Sequence, residues 1–390
     1  MDPAYRSELN RDVLPARTGE FRPLDYGPFQ VDPPVVLAPM AGVTNSPFRR
    51  LCRQFGPGLF VSEMITCRGL TEGNRKTLQL ASFAPDESPR SLQLYGTDPL
   101  HVADAARLLV GEGLVDHLDT NLGCPVRKVT SHGGGAALPL KPKALARLLE
   151  ALVRAAEPVP VTVKFRMGID HERLYHLETG RIAEAAGAVA VGLHARTAAQ
   201  LYDGEANWNA IAELKAAVSI PVLGNGDIFE GFDALRMMRQ TGCDGVVVGR
   251  GVLGRPWLFR DLACLFRGQE PPDPPALGEI AEIALRHGRE LVRFFGETLG
   301  VRHMRRHGAW YTKGFEGTGE FRKQLNQAET FAQMETLFRA LDPGELFPRA
   351  SLRARRGKKA GTQTVSLPHG WAPISRSGPR CSRLSADPAE

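Results

Sequence analysis

The stretch DTNLGCPVRKVTSHGGG, residues 119–135, sets a thiol where the chain turns. Cys124 stands between Gly123 and Pro125, just after an alternating run that ends in Asn121 and Leu122. A thiol of ordinary pKa, about 8.5, keeps its proton near neutrality and can give it to a developing carbanion. Activated, the same group is a covalent nucleophile; packed away, it is a small hydrophobe. Its place at the end of a strand-like run argues against the last. Lys164 interrupts the apolar run VTVKFR (161–166), together with Arg166. A cation there must face either a carboxylate or a ligand that becomes negative. A reduced flavin is such a ligand, because its ring carries negative charge at N1. Gln93, in SLQLYG (91–96), offers both a donor and an acceptor, which suits the imide edge of that ring. His194, beside Arg196, is placed to contact a ligand or substrate. Asn225-Gly226-Asp227 and Gly249-Arg250-Gly251 end two further apolar runs. Glycine lets a backbone approach closely, and arginine adds charge-assisted hydrogen bonds, so both suit a phosphate.

These residues gain meaning from the elements that carry them. Eight short apolar runs read as strands: 35–39, 59–63, 91–96, 117–122, 161–166, 190–195, 221–226 and 244–250. Between most of them lie stretches with helical spacing, such as 98–113, 143–157 and 232–244. Eight β/α repeats over residues 34–267 predict an α/β fold, a (β/α)8 TIM barrel. An open doubly wound sheet would carry G-x-G-x-x-G after its first strand, and no such stretch is there. In a barrel the active site lies at the C-terminal ends of the strands, with phosphate held by the seventh and eighth loops. Each residue named above falls in or after a strand, so they converge on one rim. Pro39, Met40 and Ala41 join them after the first strand.

After Arg267 the pattern changes. RGQEPPDPPALGE reads as a linker, and 277–342 as a small helical bundle. Residues 1–33 are an N-terminal extension. From Arg286 to Lys323 nine Lys/Arg stand against four Asp/Glu; Trp310 and Tyr311 among them read as core. The chain of 390 residues has a net charge of +6, but residues 349–390 carry nine Lys/Arg and two Asp/Glu. That segment reads as a basic disordered tail. No apolar run approaches the ~20 residues of a membrane span, and the opening residues 1–21, without an apolar segment, are not expected to act as a secretory signal. Six cysteines without a C-x-x-C pair argue against a metal site or disulfide framework and for a reducing cytoplasm.

LAPMAGVTNSPFRRL, DTNLGCPVRKV, VTVKFRMG, GLHARTAAQLYDGEANW, PVLGNGDI and VVVGRGVLGRPWLF occur in this order. Together they resemble the tRNA-dihydrouridine synthases, most of all the bacterial B-type. RRHGAWYTKG and FRKQLNQAE resemble that family's C-terminal RNA-binding domain. The resemblance implies an FMN enzyme that uses NADPH to reduce uridine in tRNA to 5,6-dihydrouridine. It implies hydride from flavin N5 to C6 and a proton from Cys124 to C5. Asn121 would hold the uracil, and Arg166 the substrate. Pro39, Met40 and Ala41 would line the flavin, with Gln93, Lys164 and His194 also on the cofactor. Asn225, Gly226, Asp227, Gly249 and Arg250 would hold its phosphate end. A monomer acting in the cytoplasm is expected. The glycines at 133–135 suggest a loop that opens for a nucleotide and closes over it. The alternative functions are a flavin barrel acting on a small-molecule enone or dihydropyrimidine, and an RNA-binding protein without catalysis; intact Cys124, Lys164 and phosphate loops speak against the latter.

Overall fold

The computed structural model describes residues 2, 5–357 and 361–371. Eight parallel strands close into a barrel: β1 (Val35–Leu37), β2 (Leu59–Thr66), β3 (Ser91–Tyr95), β4 (His117–Leu122), β5 (Val161–Arg166), β6 (Ala190–His194), β7 (Val222–Asn225) and β8 (Gly245–Val248). β8 pairs with β1 and completes the ring. All eight expected strands are present. β2 runs past its expected end because its pairing with β3 shifts between Val61 and Met64. Such an irregularity re-aims side chains, and here it turns Met64 toward the rim where the chemistry lies.

Local signals start and stop the outer helices. Asp98 caps Pro99–Gly111 by accepting from the N–H groups of Leu100 and His101, with proline at the first helical position. Gly231–Thr241 starts in a reciprocal Glu230–Asp233 box and stops at Gly242, whose φ is +68°. The N-terminal extension is ordered over most of its length. Its hairpin, Leu24–Asp25 against Gln30–Val31, packs with Leu59, Ala190 and Leu223 and covers the N-terminal end of the barrel. The open end is therefore the C-terminal one.

Four helices follow the barrel: Leu277–Phe295, Glu297–Tyr311, Thr318–Gln327 and Phe331–Arg339. Their core takes in Leu51 and Trp257 from the barrel, so the two parts share one apolar contact. At this contact Phe48 of the barrel packs on His287 and His307, whose rings lie 4.5 Å apart. Burial holds both imidazoles neutral, His287 down to about 3, and does the same to His117 and His194 in the barrel. The unfolded chain protonates its histidines near pH 6.5, so it binds protons there that the folded chain does not. Stability is fully present above that pH and falls as pH drops below it, by about 1.4 kcal/mol per pH unit for each such histidine. Burial raises the carboxyls of Glu63, Asp119 and Asp261, which work in the opposite sense at lower pH. Urea unfolding is expected to show lower stability at pH 5 than at pH 7. The difference should shrink in a His287→Gln/His307→Gln variant by roughly 2 kcal/mol per histidine.

The C-terminal segment departs from expectation. Residues 349–357 and 361–371 are ordered against the barrel instead of forming a disordered tail. Arg353 donates to Glu230 and Asp233, at 2.8 and 2.9 Å, and Arg356 is buried and donates to the carbonyl of Trp310. Val365 and Leu367 pack on Ala136, Ile169, Tyr175 and Ala198. The segment looked solvated because its arginines are numerous; their acceptors lie far away in sequence. Residues 358–360 and 372–390 of the expected tail lie outside the described residues.

Candidate active site

A cavity of about 360 Å³ opens at the C-terminal rim. Its wall includes Pro39, Met40, Ala41, Asn121, Cys124, Lys164, Arg166, His194, Asn225, Gly226, Asp227, Gly249 and Arg250. The topology brings all of these together, as expected. Gln93 is the exception: it is fully buried and lies outside the lining residues. Pairing register explains this. Gln93, Asp119 and Thr162 sit opposite one another on β3, β4 and β5, one layer deeper than the opposed Asn121 and Lys164.

That deeper layer is a chain of hydrogen bonds leading to the backbone turn that carries the thiol. Thr162 donates to Asp119 Oδ1 at 2.6 Å, and Gln93 Nε2 donates to Asp119 Oδ2 at 2.6 Å. The carboxylate thereby fixes which way the Gln93 amide faces. Asn121 Nδ2 donates to Gln93 Oε1 at 2.8 Å, and Asn121 Oδ1 accepts from the N–H groups of Gly123 and Cys124, at 3.1 and 2.8 Å. So the Asn121 amide is committed to shaping the turn at Cys124. Arg166 secures the turn from the other side: its Nε donates to Gly123 O at 2.9 Å, and Nη1 to the carbonyls of Thr197 and Leu201. Cys124 itself is half-buried and faces the cavity. Three other cysteines, Cys52, Cys67 and Cys243, are buried, and burial pushes their thiols up, Cys67 to about 12.

The glycines at 133–135 are close-packed. Gly135 has a φ of +53°, and a Cβ there would meet Cys124 O at 2.6 Å. They allow the chain to fold tightly behind the thiol. The expected opening loop is therefore a close-packed cradle in this structure.

The floor and far wall of the cavity are strongly cationic. Lys164 Nζ donates to Asn225 Oδ1 at 3.0 Å, while Asn225 Nδ2 donates to Val247 O. Among the described residues no carboxylate lies within ion-pair distance of Lys164. Burial, then the Arg166 charge, pulls its ammonium below the usual lysine range. His194 is buried beside Arg166, Lys164, Arg196 and Arg250, and burial followed by these charges keeps it neutral. Asp227 has a φ of +57°, and its carboxylate accepts from Arg196 at 2.7 and 2.8 Å and from the N–H of Ala206 at 2.7 Å. Its side chain is thus committed to the protein's own groups. Gly226, at φ +134°, permits this turn; a Cβ there would meet Ala206 at 2.6 Å. Arg250 lies over the Tyr202 ring, 4.7 Å from its centroid.

Sequence reasoning missed several residues. Arg306, from the helix Glu297–Tyr311, donates to Gly42 O and lies over the Trp310 ring at 5.3 Å. Both line the cavity, so Trp310 is not purely core, whereas Tyr311 is fully buried. Glu63 accepts from the N–H of Gly42 at 2.8 Å and steadies the β1 loop from below. No pattern in the sequence tells which face of a helix in a following bundle meets the barrel rim.

Residues 36–342 match the family model described as "Dihydrouridine synthase (Dus)". The chain belongs to the dihydrouridine synthase family. Among its relatives, the "Probable tRNA-dihydrouridine synthase" of Mycobacterium tuberculosis (strain ATCC 25618 / H37Rv) is 53% identical over 358 residues, covering 89% of this chain and 92% of that protein. The "tRNA-dihydrouridine synthase B" of Pseudomonas aeruginosa is 43% identical and covers 78% of this chain and 91% of its own. That of Xanthomonas axonopodis pv. citri is 41% identical, with 79% and 92% covered. The family model's match ends at residue 342, whereas the alignment with the Mycobacterium tuberculosis relative covers 89% of this chain.

Proposed function

We propose that this chain reduces the C5=C6 bond of uridine in tRNA to 5,6-dihydrouridine, with FMN as cofactor and NADPH as reductant. The observation that carries this is one rim cavity with Cys124 on one side and the Lys164–Arg250 cations on the other. The residues present fit FMN. Lys164 is a half-buried cation with no carboxylate within ion-pair distance among the described residues, as suits an anionic ring. Gly226 and Gly249 leave open backbone beside Arg250, and Arg196 Nη1 is buried without a hydrogen-bond partner. When bound, FMN supplies the hydride that adds to uracil C6.

The chain's own groups do the rest. Cys124 gives its proton to C5, acting as general acid. Asn121 and Arg166 hold its turn, and Gln93 acts through Asn121. Lys164 stabilises negative charge in a site shielded from water. Neutral His194 can donate or accept a hydrogen bond to the ligand. Pro39, Met40 and Ala41 wall the ring; the backbone of 225–227 and 249–250, with the Arg250 side chain, receives the phosphate.

Residues 34–267 then form the catalytic unit and 277–342 the tRNA-docking unit. A uridine in folded RNA must be splayed out first, at a cost of a few kcal/mol, which phosphate contacts can offset. Arg286, Arg302 and Lys313 are exposed, and their side chains make no hydrogen bond or ion pair among the described residues. Such an enzyme works where tRNA is, in the cytoplasm, and nothing in the site calls for a second subunit. Among the described residues no helix is long and apolar enough to cross a membrane. Reversing the three charges (Arg286→Glu, Arg302→Glu, Lys313→Glu) is expected to weaken tRNA binding and lower its salt slope by up to about 3. Flavin content should not change. Unaltered tRNA affinity would contradict the docking role.

A further inference from the structure

Residues 361–371 reach the loop that carries the thiol. Gln363 Nε2 donates to Pro125 O at 2.8 Å and to Ala198 O at 3.1 Å, and its own N–H donates to Ala199 O at 2.9 Å. Pro125 directly follows Cys124. Ala198 adjoins Thr197, whose carbonyl accepts from Arg166. A single side-chain amide therefore ties the β4 loop to the β6 loop, opposite the Arg166 clamp. Val365 and Leu367 press on Ala136 and Tyr175. Tyr175 OH donates to Ala136 O at 2.7 Å, and the N–H of Ala136 donates to Cys124 O at 3.1 Å. The Trp371 ring lies on Gly133, where a Cβ would come within 2.7 Å of it, and the Lys141 ammonium sits 5.4 Å from the ring centroid. Exposure alternates from Thr362 to Val365, outward at 362 and 364 and inward at 363 and 365, as in a strand laid on a surface.

We propose that residues 361–371 are a strap that holds the Cys124 loop against the cavity, with Gln363 a positioning residue for proton transfer. The proposal rests on Cys124 being the proton donor. A general acid must lie within hydrogen-bond reach of the carbon it protonates, and a displacement of about 1 Å can lower a rate roughly 10²-fold. Asn121 and Arg166 hold the turn from inside the barrel; the strap holds it from outside. Gln363→Glu, of the same shape, loses both amide donors and sets a carboxylate against two carbonyls.

The test uses the full-length FMN-loaded protein as parent, Gln363→Glu and Gln363→Ala. Flavin content and the rate of flavin reduction by NADPH should match the parent. Oxidation of the pre-reduced enzyme by saturating tRNA should slow about tenfold or more, with Gln363→Glu the slower variant. Alkylation of Cys124 by iodoacetamide, read from the mass of its peptide, should be faster. An unchanged or faster tRNA step overturns the proposal, and so does a defect that disappears at saturating tRNA or a parallel loss of flavin and of both half-reactions. Alkylation proceeds through the thiolate, with the thiol proton lost to solvent and iodide leaving, and needs no protonation of uracil, so it reads access to the loop independently of the proton-donor role. If Cys124→Ala keeps full activity, the proton-donor role fails, and an unaltered alkylation rate in the Gln363 variants separately overturns the strap.

Discussion

Cys124→Ala is expected to lower tRNA-dependent turnover by roughly 10²–10⁴-fold, the range of a general acid. Reduction of the flavin by NADPH should stay near the parental rate. The asymmetry follows from geometry. The thiol stands on a turn held by Asn121 and Arg166, whereas the cations of the opposite wall come from β5 (Lys164) and the loops after β6 (Arg196) and β8 (Arg250). Alanine removes the proton and leaves those cations, and the Asn121 bond to its backbone N–H, in place. Buried Cys52, Cys67 and Cys243 cannot replace it. Stopped-flow absorbance separates the two half-reactions. Equal loss in both would mean that the thiol shapes the cofactor site.

Lys164→Met should act on the opposite half. Removing one preorganised charge from a water-excluded site lowers a rate by about 10²–10³-fold, and flavin reduction by NADPH is the expected victim. Methionine keeps the length of the stem, so the barrel interior stays filled. The pH dependence has a definite sign. Burial lowers the Lys164 pKa, so its cation is present at neutral pH and is lost as pH rises through a value below the usual lysine range of about 10.4. The wild-type reduction rate should therefore fall on the alkaline side, and Lys164→Met should lack this limb. An identical alkaline limb in the variant would assign the titration elsewhere.

The parts of this molecule that were legible in its sequence obey short-range rules. Apolar runs of strand length, separated by helical spacing, define the barrel, and the barrel places its strand ends on one rim. Cys124, Lys164, His194 and the two glycine loops could be found from that alone. What escaped depends on contacts between distant segments. Gln93 lies one layer below the cavity lining, a placement set by its register with Asp119 and Thr162. Asp227 looked like a ligand group, yet Arg196 occupies its carboxylate. Gly133 and Gly135 looked like flexibility; their positive φ serves close packing behind Cys124. Arg353 and Arg356 looked solvated because Glu230, Asp233 and the Trp310 carbonyl lie far off in the chain. Trp310 sits beside Tyr311 on one helix, but only Tyr311 faces fully inward.

The central claim is that this cavity performs uridine reduction on RNA. The most direct measurement is dihydrouridine formed in unmodified tRNA by the purified protein with FMN and NADPH, read by nucleoside mass spectrometry. The expected result is dihydrouridine in proportion to NADPH consumed without oxygen, at defined positions, and none with Cys124→Ala. A flavin-loaded protein that oxidises NADPH yet leaves every uridine intact would contradict it.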